Sequence, residues 1–292
     1  MNSKATVYEI ITERIINRIE NEKALPWKQP WKNYLSPDGG PQNLVSKKPY
    51  RGINVVLLSG GATNYWLSFK QAQQLGGTVR KGEKGTPCIF WLIGKDTDKD
   101  TGKEKKSFVL RYYTVFNLSQ CDGIKTPEQK EIKNTFEPIA LAESIVAGMP
   151  KKPAITFKEP RAYYSPQFDF VNMPKPESFN SPHNYYSTLF HELGHATGHK
   201  SRLDRQQGDT SWNAFGSDPY AKEELVAEMT AAYCCGALGL EMQTEDQHVA
   251  YLDSWISRLK RDSKLLIHAA SQAQKATDYI FGQTKNDESE KE

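Results

Sequence analysis

The sequence predicts an α+β chain in two parts: a mixed α/β front module with a long β-hairpin, and a mainly helical rear module. Three observations predict it. Two strand-like runs, 88–93 and 108–116, are rich in β-branched and aromatic residues and flank a charged stretch at 94–107, the pattern of a long hairpin. Apolar residues recur at helical spacing around the pentad His191-Glu192-Leu193-Gly194-His195, and a second helical stretch rich in Ala, Leu and Val runs from 221 to about 238. Charge divides with the same two parts. Residues 1–125 carry 20 Lys and Arg against 11 Asp and Glu, a surplus of +9; the remaining 18 and 24 leave −6 and restore the overall +3. The boundary falls near 125–135, where Lys125-Thr126-Pro127-Glu128-Gln129-Lys130 reads as a linker. This gives domains 1–130 and 131–283, followed by a charged tail over 284–292 that lacks apolar residues and is expected to be disordered.

The front module opens on a helix whose stripe is Tyr8, Ile11, Ile15 and Ile19, with Arg14 and Arg18 elsewhere on its surface. Pro26-Trp27 and Pro30-Trp31 punctuate an extended segment. Lys47-Lys48-Pro49-Tyr50-Arg51 clusters three cations around a tyrosine, and Asn64-Tyr65-Trp66 precedes a short helix near 68–75. Gly76-Gly77 ends that helix, and the basic turn Arg80-Lys81-Gly82-Glu83-Lys84-Gly85 follows. Cations interleaved with aromatic rings suit a single-stranded nucleic acid, because Lys and Arg neutralise phosphates while exposed rings stack on bases without reading sequence. Lys47, Lys48, Arg51, Arg80, Lys81 and Lys84 are the phosphate candidates, and Tyr50 and Trp66 the stacking candidates.

In the rear module, Ser181-Pro182 supplies an N-cap and a proline at the first helical position. Tyr185, Leu189, Leu193 and Ala196 then form an apolar stripe beside His191 and His195. Two imidazoles four residues apart lie on one helix face, one turn from each other, and can close on a single Zn²⁺ while Glu192 reaches an attacking water. A third protein ligand is required. His199 shares the face, but residues eight apart are separated by about 12 Å, too far for ligands at about 2 Å from one ion. The metzincin pattern fails as well: Gly198 matches its glycine, but Ser201 stands where its third histidine belongs.

The acidic run Glu223-Glu224-Leu225-Val226-Ala227-Glu228 is the better source. Glu224 and Glu228 are one turn apart, so one carboxylate can bind the metal while the other accepts a hydrogen bond from a ligating histidine. Glu223 is the rival for the ligand role, and a solvated acidic helix start is its alternative reading. The Glu-x-x-Ala-Glu stretch resembles the glutamate-ligand signature of the gluzincin peptidases. That resemblance implies Glu224 as the ligand and Glu228 behind a ligating histidine. Such a set of residues implies metal-assisted hydrolysis of an amide, most simply a peptide bond, with Glu192 taking the proton of the water and returning it to the leaving amine. Tyr163, Tyr164 and Tyr220 are candidates for oxyanion stabilisation, each with a structural alternative.

Composition bounds the remaining classes. The chain has 292 residues, 38% of them hydrophobic, and its mean hydropathy is −0.67. No apolar stretch approaches the roughly 18 residues that would cross a membrane, and Met1-Asn2-Ser3-Lys4 leads into an amphipathic pattern rather than a signal peptide. Cys88, Cys121, Cys234 and Cys235 lack metal-type spacing and read as reduced core residues of a cytoplasmic protein.

Taken as a set, the motifs resemble the ArdC family of antirestriction proteins from conjugative plasmids and related mobile elements. The residues that carry this are Tyr50-Arg51-Gly52-Ile53-Asn54, Tyr65-Trp66-Leu67-Ser68-Phe69, the turn from Gly76-Gly77 to Gly85, and Tyr112-Tyr113-Thr114-Val115-Phe116-Asn117. They continue through the pentad, Tyr220-Ala221-Lys222-Glu223-Glu224-Leu225-Val226-Ala227-Glu228, Trp255, Leu259 and the Ala-rich helix around 269–276. Ala196 departs from it, standing where many relatives are expected to carry an aromatic residue. The resemblance implies an N-terminal domain that binds single-stranded DNA without marked sequence preference, joined to a zincin-like metallopeptidase domain holding one Zn²⁺. It implies protection of incoming plasmid DNA from host restriction enzymes during conjugation, with a protein or peptide, such as a restriction-system component, as the peptidase's substrate. The front module also resembles a region of some plasmid primases. Three readings follow: a DNA-binding antirestriction protein with a metallopeptidase-like domain, an active zinc protease localised by DNA, and a DNA-binding module whose metal is not catalytic.

Overall fold

The computed structural model describes residues 5–27, 40–97, 104–127, 138–205, 218–240 and 249–283. The expected extended segment at Pro30-Trp31, most of the linker after Pro127 and the tail from 284 lie outside them. Helix α1 (Val7–Glu22) starts on a capping box, in which the Thr6 hydroxyl accepts from the Glu9 N–H and the Glu9 carboxylate accepts from the Thr6 N–H. Its stripe buries Ile11, Ile15 and Ile19.

Strands β1 (Gln42–Asn43), β2 (Tyr65–Leu67), β4 (Thr86–Thr97) and β5 (Glu104–Asn117) form one sheet in the order β1-β2-β5-β4, parallel only between β1 and β2. Strands β3 (Thr78–Val79) and β6 (Cys121–Asp122) pair beside it. Two helices connect the strands: α2 (Ile53–Leu58), buried along most of its length, and α3 (Phe69–Gln74), capped by the Ser68 hydroxyl and the Gln71 side chain. The hairpin β4–β5 is longer than the sequence predicts. Its ladder continues through Gly94↔Ser107 to Thr97↔Glu104, so the charged stretch is largely strand. Polar residues there satisfy their backbone across the ribbon, and nothing buried is needed to hold them extended.

Helix α4 (Pro138–Gly148) opens the rear half, followed by a three-stranded sheet in the order β7-β9-β8, made of β7 (Ala154–Thr156), β8 (Tyr163–Ser165) and β9 (Phe170–Asn172). Four helices complete it: α5 (Pro182–Thr197), α6 (Asp218–Leu238), α7 (Val249–Arg261) and α8 (Leu265–Ile280). Among the described residues no helix is long and apolar enough to cross a membrane. Cys88, Cys234 and Cys235 are buried and Cys121 half-buried, all as free thiols.

The main core belongs to both halves. Ile11, Ile15, Val56 and Val115 from the front lie in one apolar cluster with Leu225, Met229, Leu259 and Leu266 from the rear. A second cluster is confined to the rear and packs α5 against α4, α6 and the small sheet through Leu189, Phe190, Leu193 and Met173. The charge division along the chain therefore coexists with a continuous interior, reinforced where Tyr233 donates to the Gly52 carbonyl at 2.9 Å and Arg51 pairs with Asp278 at 2.7 Å.

Candidate metal centre and nucleic-acid interface

Helix α5 begins where the sequence predicts. The Ser181 hydroxyl accepts from the Asn184 N–H and Pro182 opens the first turn. One face buries Leu189, Leu193 and Ala196, which turns His191 and His195 toward α6. Gly194 lets the two helices cross closely: a β-carbon there would meet Ala227 Cα at 3.1 Å and Thr230 Cβ at 3.2 Å. The glycine of the pentad is thus a crossing point, and it sets Glu223 and Glu224 over the imidazoles.

The three donors converge. His191 Nε2 lies 3.2 Å from His195 Nε2, His195 Nε2 lies 3.4 Å from Glu224 Oε1, and His191 Nε2 lies 3.6 Å from Glu224 Oε2. The Glu224 carboxylate spans the pair, one oxygen near each imidazole, and one donor atom taken from each of the three residues lies within 4.8 Å of the others, a set that can hold one divalent cation. All three side chains remain partly exposed, which leaves the fourth direction open. The electrostatics also favour a cation. Burial works against charge on His195, yet Glu223 and Glu224 raise its pKa to about 10, and burial of Glu224 is outweighed by the two histidines, which bring it down to about 2.

Glu192 is buried beside this triangle, and burial, together with the nearby Glu224 charge, pushes its pKa up to about 7 against the pull of His195. The Tyr164 backbone on β8 opposes part of that rise. Of the three tyrosines singled out, Tyr220 is the one whose hydroxyl bonds Glu224; burial first, and then that carboxylate, raise it to about 12. Tyr163 and Tyr164 direct their hydroxyls to Glu159 and Asp169. His199 binds Ser201 at 2.8 Å, apart from the triangle.

One placement corrects the sequence reading. Glu228 was expected behind a ligating histidine, but its carboxylate accepts from Trp27 Nε1 at 2.9 Å and from the Tyr251 hydroxyl. Ala227 sits on the crossing with Gly194, so Glu228, about 100° further round α6, faces the front half and α7. Glu223 takes the place beside the histidine, 3.7 Å from His195 Nδ1, and is itself clamped by Arg205 at 2.7 Å in a buried ion pair. Arg205 also donates to the Gly194 carbonyl and the Thr197 hydroxyl, tying the loop after α5 to the start of α6. Nothing in the spacing of the sequence marks Arg205, which acts from a loop.

The candidate DNA residues do not gather into one patch. Lys47 and Lys48 are exposed on the loop after β1, with the Lys47 ammonium 5.2 Å from the Tyr65 ring centroid. Lys81 and Lys84 are exposed on the β3–β4 turn, while Arg80 there pairs with Glu83 and Asp122. Tyr50 and Arg51 are drawn inward, Tyr50 toward Asn43 and Tyr113 and Arg51 toward Asp278. Trp66 is a correction: it is 4% exposed, in a strand flanked on both sides by β1 and β5, so it packs instead of presenting a free face. The hairpin rings that face outward are Trp91, Phe108 and Tyr112 on one face and Phe90 and Tyr113, packed on each other, on the other. Consecutive apolar residues such as 90–93 read as a fully buried strand, and this pattern hid them.

Two comparisons by region agree with this division. Residues 5–116 match the N-terminal domain of anti-restriction factor ArdC, and residues 141–272 match the zincin-like metallopeptidases. Two Escherichia coli proteins named DNA primase TraC are 37% and 35% identical over 95% and 96% of the chain, which spans only 27% and 20% of their length. A Sinorhizobium fredii protein, y4eC, is 36% identical, with 95% of the chain and 92% of the relative aligned. The crystal structure of antirestriction protein ArdC from plasmid R388, metal-free, superposes with a TM-score of 0.73 at 38% identity, covering 95% of this chain and 97% of that one. The Mn(II)-bound structure gives 0.70 at 36% identity, covering 97% and 99%. With both regions and nearly the whole length of a solved relative accounted for, the chain belongs to the ArdC family of antirestriction proteins.

Proposed function

We propose that this protein guards transferred DNA in the cytoplasm of a receiving cell, binding it as an unpaired strand through the front half and holding one Zn²⁺ in a peptidase-type centre. The DNA side is supported by the +9 surplus of the first 125 residues and by relatives whose names include a DNA primase. The chemical side is supported by one observation above the others, the 3.2–3.6 Å triangle of His191, His195 and Glu224. When bound, the ion supplies Lewis acidity toward a carbonyl oxygen and an attacking water. Glu192, buried beside the three donors, is the carboxylate placed to accept a proton from that water and return it to a leaving amine. Tyr220 steadies Glu224.

The test separates the parts. Metal analysis of the full chain is expected to give one zinc per protein, falling below about a tenth in Glu224→Ala; full occupancy in that variant would move the ligand role to Glu223. Glu192→Gln is expected to keep zinc and oligo-dT affinity while lowering hydrolysis of a casein-type substrate by about 10²–10⁴-fold. Antirestriction that persists in Glu192→Gln would show that gripping the strand, rather than cutting a protein, provides the protection.

A further inference from the structure

One face of the hairpin combines two core residues, Ile89 and Leu110, with side chains left in solvent. Directly opposed residues share a face, so Ile89 and Tyr112, Trp91 and Leu110, and Ile93 and Phe108 all stand on one side of the β4–β5 ribbon. Three of these are rings in solvent: Tyr112 is 45% exposed, Trp91 42% and Phe108 59%. Tyr112 and Phe108 are about 13.6 Å apart along β5, with Trp91 between them across the ribbon, so each ring has room for one base. Lys106, two residues beyond Phe108, continues the same face and is exposed.

At its root the row enters a cleft of about 520 Å³ between α1 and the hairpin, lined by Arg14, Asn17, Arg18, Tyr112 and Thr114 and also by the exposed Glu13. Arg18 is engaged by Glu22 and by the Val56 carbonyl. Arg14 is half-buried, donates to the Thr86 hydroxyl at 3.1 Å and has no carboxylate partner among the described residues. Burial and the neighbouring Arg18 charge both draw its pKa down, so an anion entering the cleft would relieve an uncompensated guanidinium. A cation at each end and rings between them match a polyanion with free aromatic faces better than they match a protein surface.

We propose that this ribbon face is the track of an unpaired DNA strand, with a phosphate at Arg14 and successive bases on Tyr112, Trp91 and Phe108. The proposal rests on the single-strand reading above and locates it on residues that reading did not use. The strand runs outward from the α1 cleft along the hairpin toward Lys106. A duplex hides its base faces and gains nothing from the row.

Binding of fluorescein-labelled dT30 to the full chain, followed by anisotropy, tests it. Trp91→Ala with Phe108→Ala is expected to weaken dT30 at least about tenfold, and Trp91→Phe with Phe108→Tyr to restore most of that. Arg14→Gln is expected to lower the slope of log K against log salt by about 0.7. All these positions are exposed or half-buried, and unchanged circular dichroism checks the fold. Wild type that binds dT30 alongside ring and Arg14 variants within twofold of it overturns the track and spares the single-strand reading. Wild type that fails to bind dT30 overturns both. Should the ring variants leave dT30 unchanged and instead convert a dimer to a monomer in sedimentation, the face belongs to a second copy of this chain and the proposal falls.

Discussion

Along the hairpin, residues 90–93 put four consecutive apolar side chains into solvent; at the α5–α6 crossing, Glu192, Glu223 and Thr230 are buried in its heart. Each region inverts the usual burial rule, and in opposite senses. The crossing compensates for its inversion internally, since Arg205 binds Glu223 and the Thr230 hydroxyl bonds the Val226 carbonyl. The ribbon face leaves its inversion standing: Trp91 is 42% and Phe108 59% exposed to water. A polar interior that is fully bonded is built to hold something in place, and an apolar exterior is built to be covered by something else.

Variants that break this contrast should differ sharply in cost. Arg205→Ala leaves Glu223 as an uncompensated buried charge and is expected to destabilise by about 3–5 kcal/mol, read as the urea midpoint of the metal-free protein. Asp169→Asn comes next. Burial raises the Asp169 carboxyl, but the hydrogen bonds and charge of Arg202, with the Tyr164 hydroxyl, outweigh it and leave the pKa lowered. A carboxylate with a lowered folded value contributes stability above its unfolded pKa near 3.9 and loses it as pH falls through the folded value. The asparagine variant should therefore cost about 2 kcal/mol at pH 7, and the difference should shrink as pH falls below about 3.9 and through the folded value. Denaturation curves parallel at every pH would remove the ion pair from the account.

Gly194→Ala pushes a methyl against the backbone of α6 and is expected to cost about 1–2 kcal/mol, with a loss of metal affinity greater than the stability change alone predicts. Smallest of all, Trp91→Ser should lower stability in urea by no more than about 0.5 kcal/mol, because that ring lies at the surface and no core cluster includes it. A Trp91→Ser variant as unstable as Arg205→Ala would mean that the ribbon is a core element after all.

Periodicity made the helical parts legible, including the N-cap at Ser181, the stripe of α1 and the short capped helix after Ser68. The pentad's spacing made His191 and His195 legible as a pair, because four residues are one turn whatever the tertiary context. What followed from helix crossing was not legible. Glu223 and Glu228 differ in role only because Ala227 meets Gly194, and a one-dimensional pattern does not state which neighbour a helix face receives. Helix α2 was missed for a related reason: six residues, nearly all apolar, carry no alternation to distinguish a buried helix from a buried strand. Trp66, expected to stack on bases, is inside, and the exposure of Trp91 went unread, because pairing on both edges of β2 and the exposure of the ribbon are properties of the sheet as a whole.

The interior shared by the two halves has a genealogical consequence. Ile11 and Val115 rest on Leu225 and Leu259, and Trp27 reaches across to the carboxylate of Glu228. A recombination point between the halves would strand apolar surface on both fragments and leave a glutamate without its indole. Inheritance as one cassette avoids that penalty, and the bacterial primases fit it, carrying a copy of nearly this entire length inside a polypeptide several times larger.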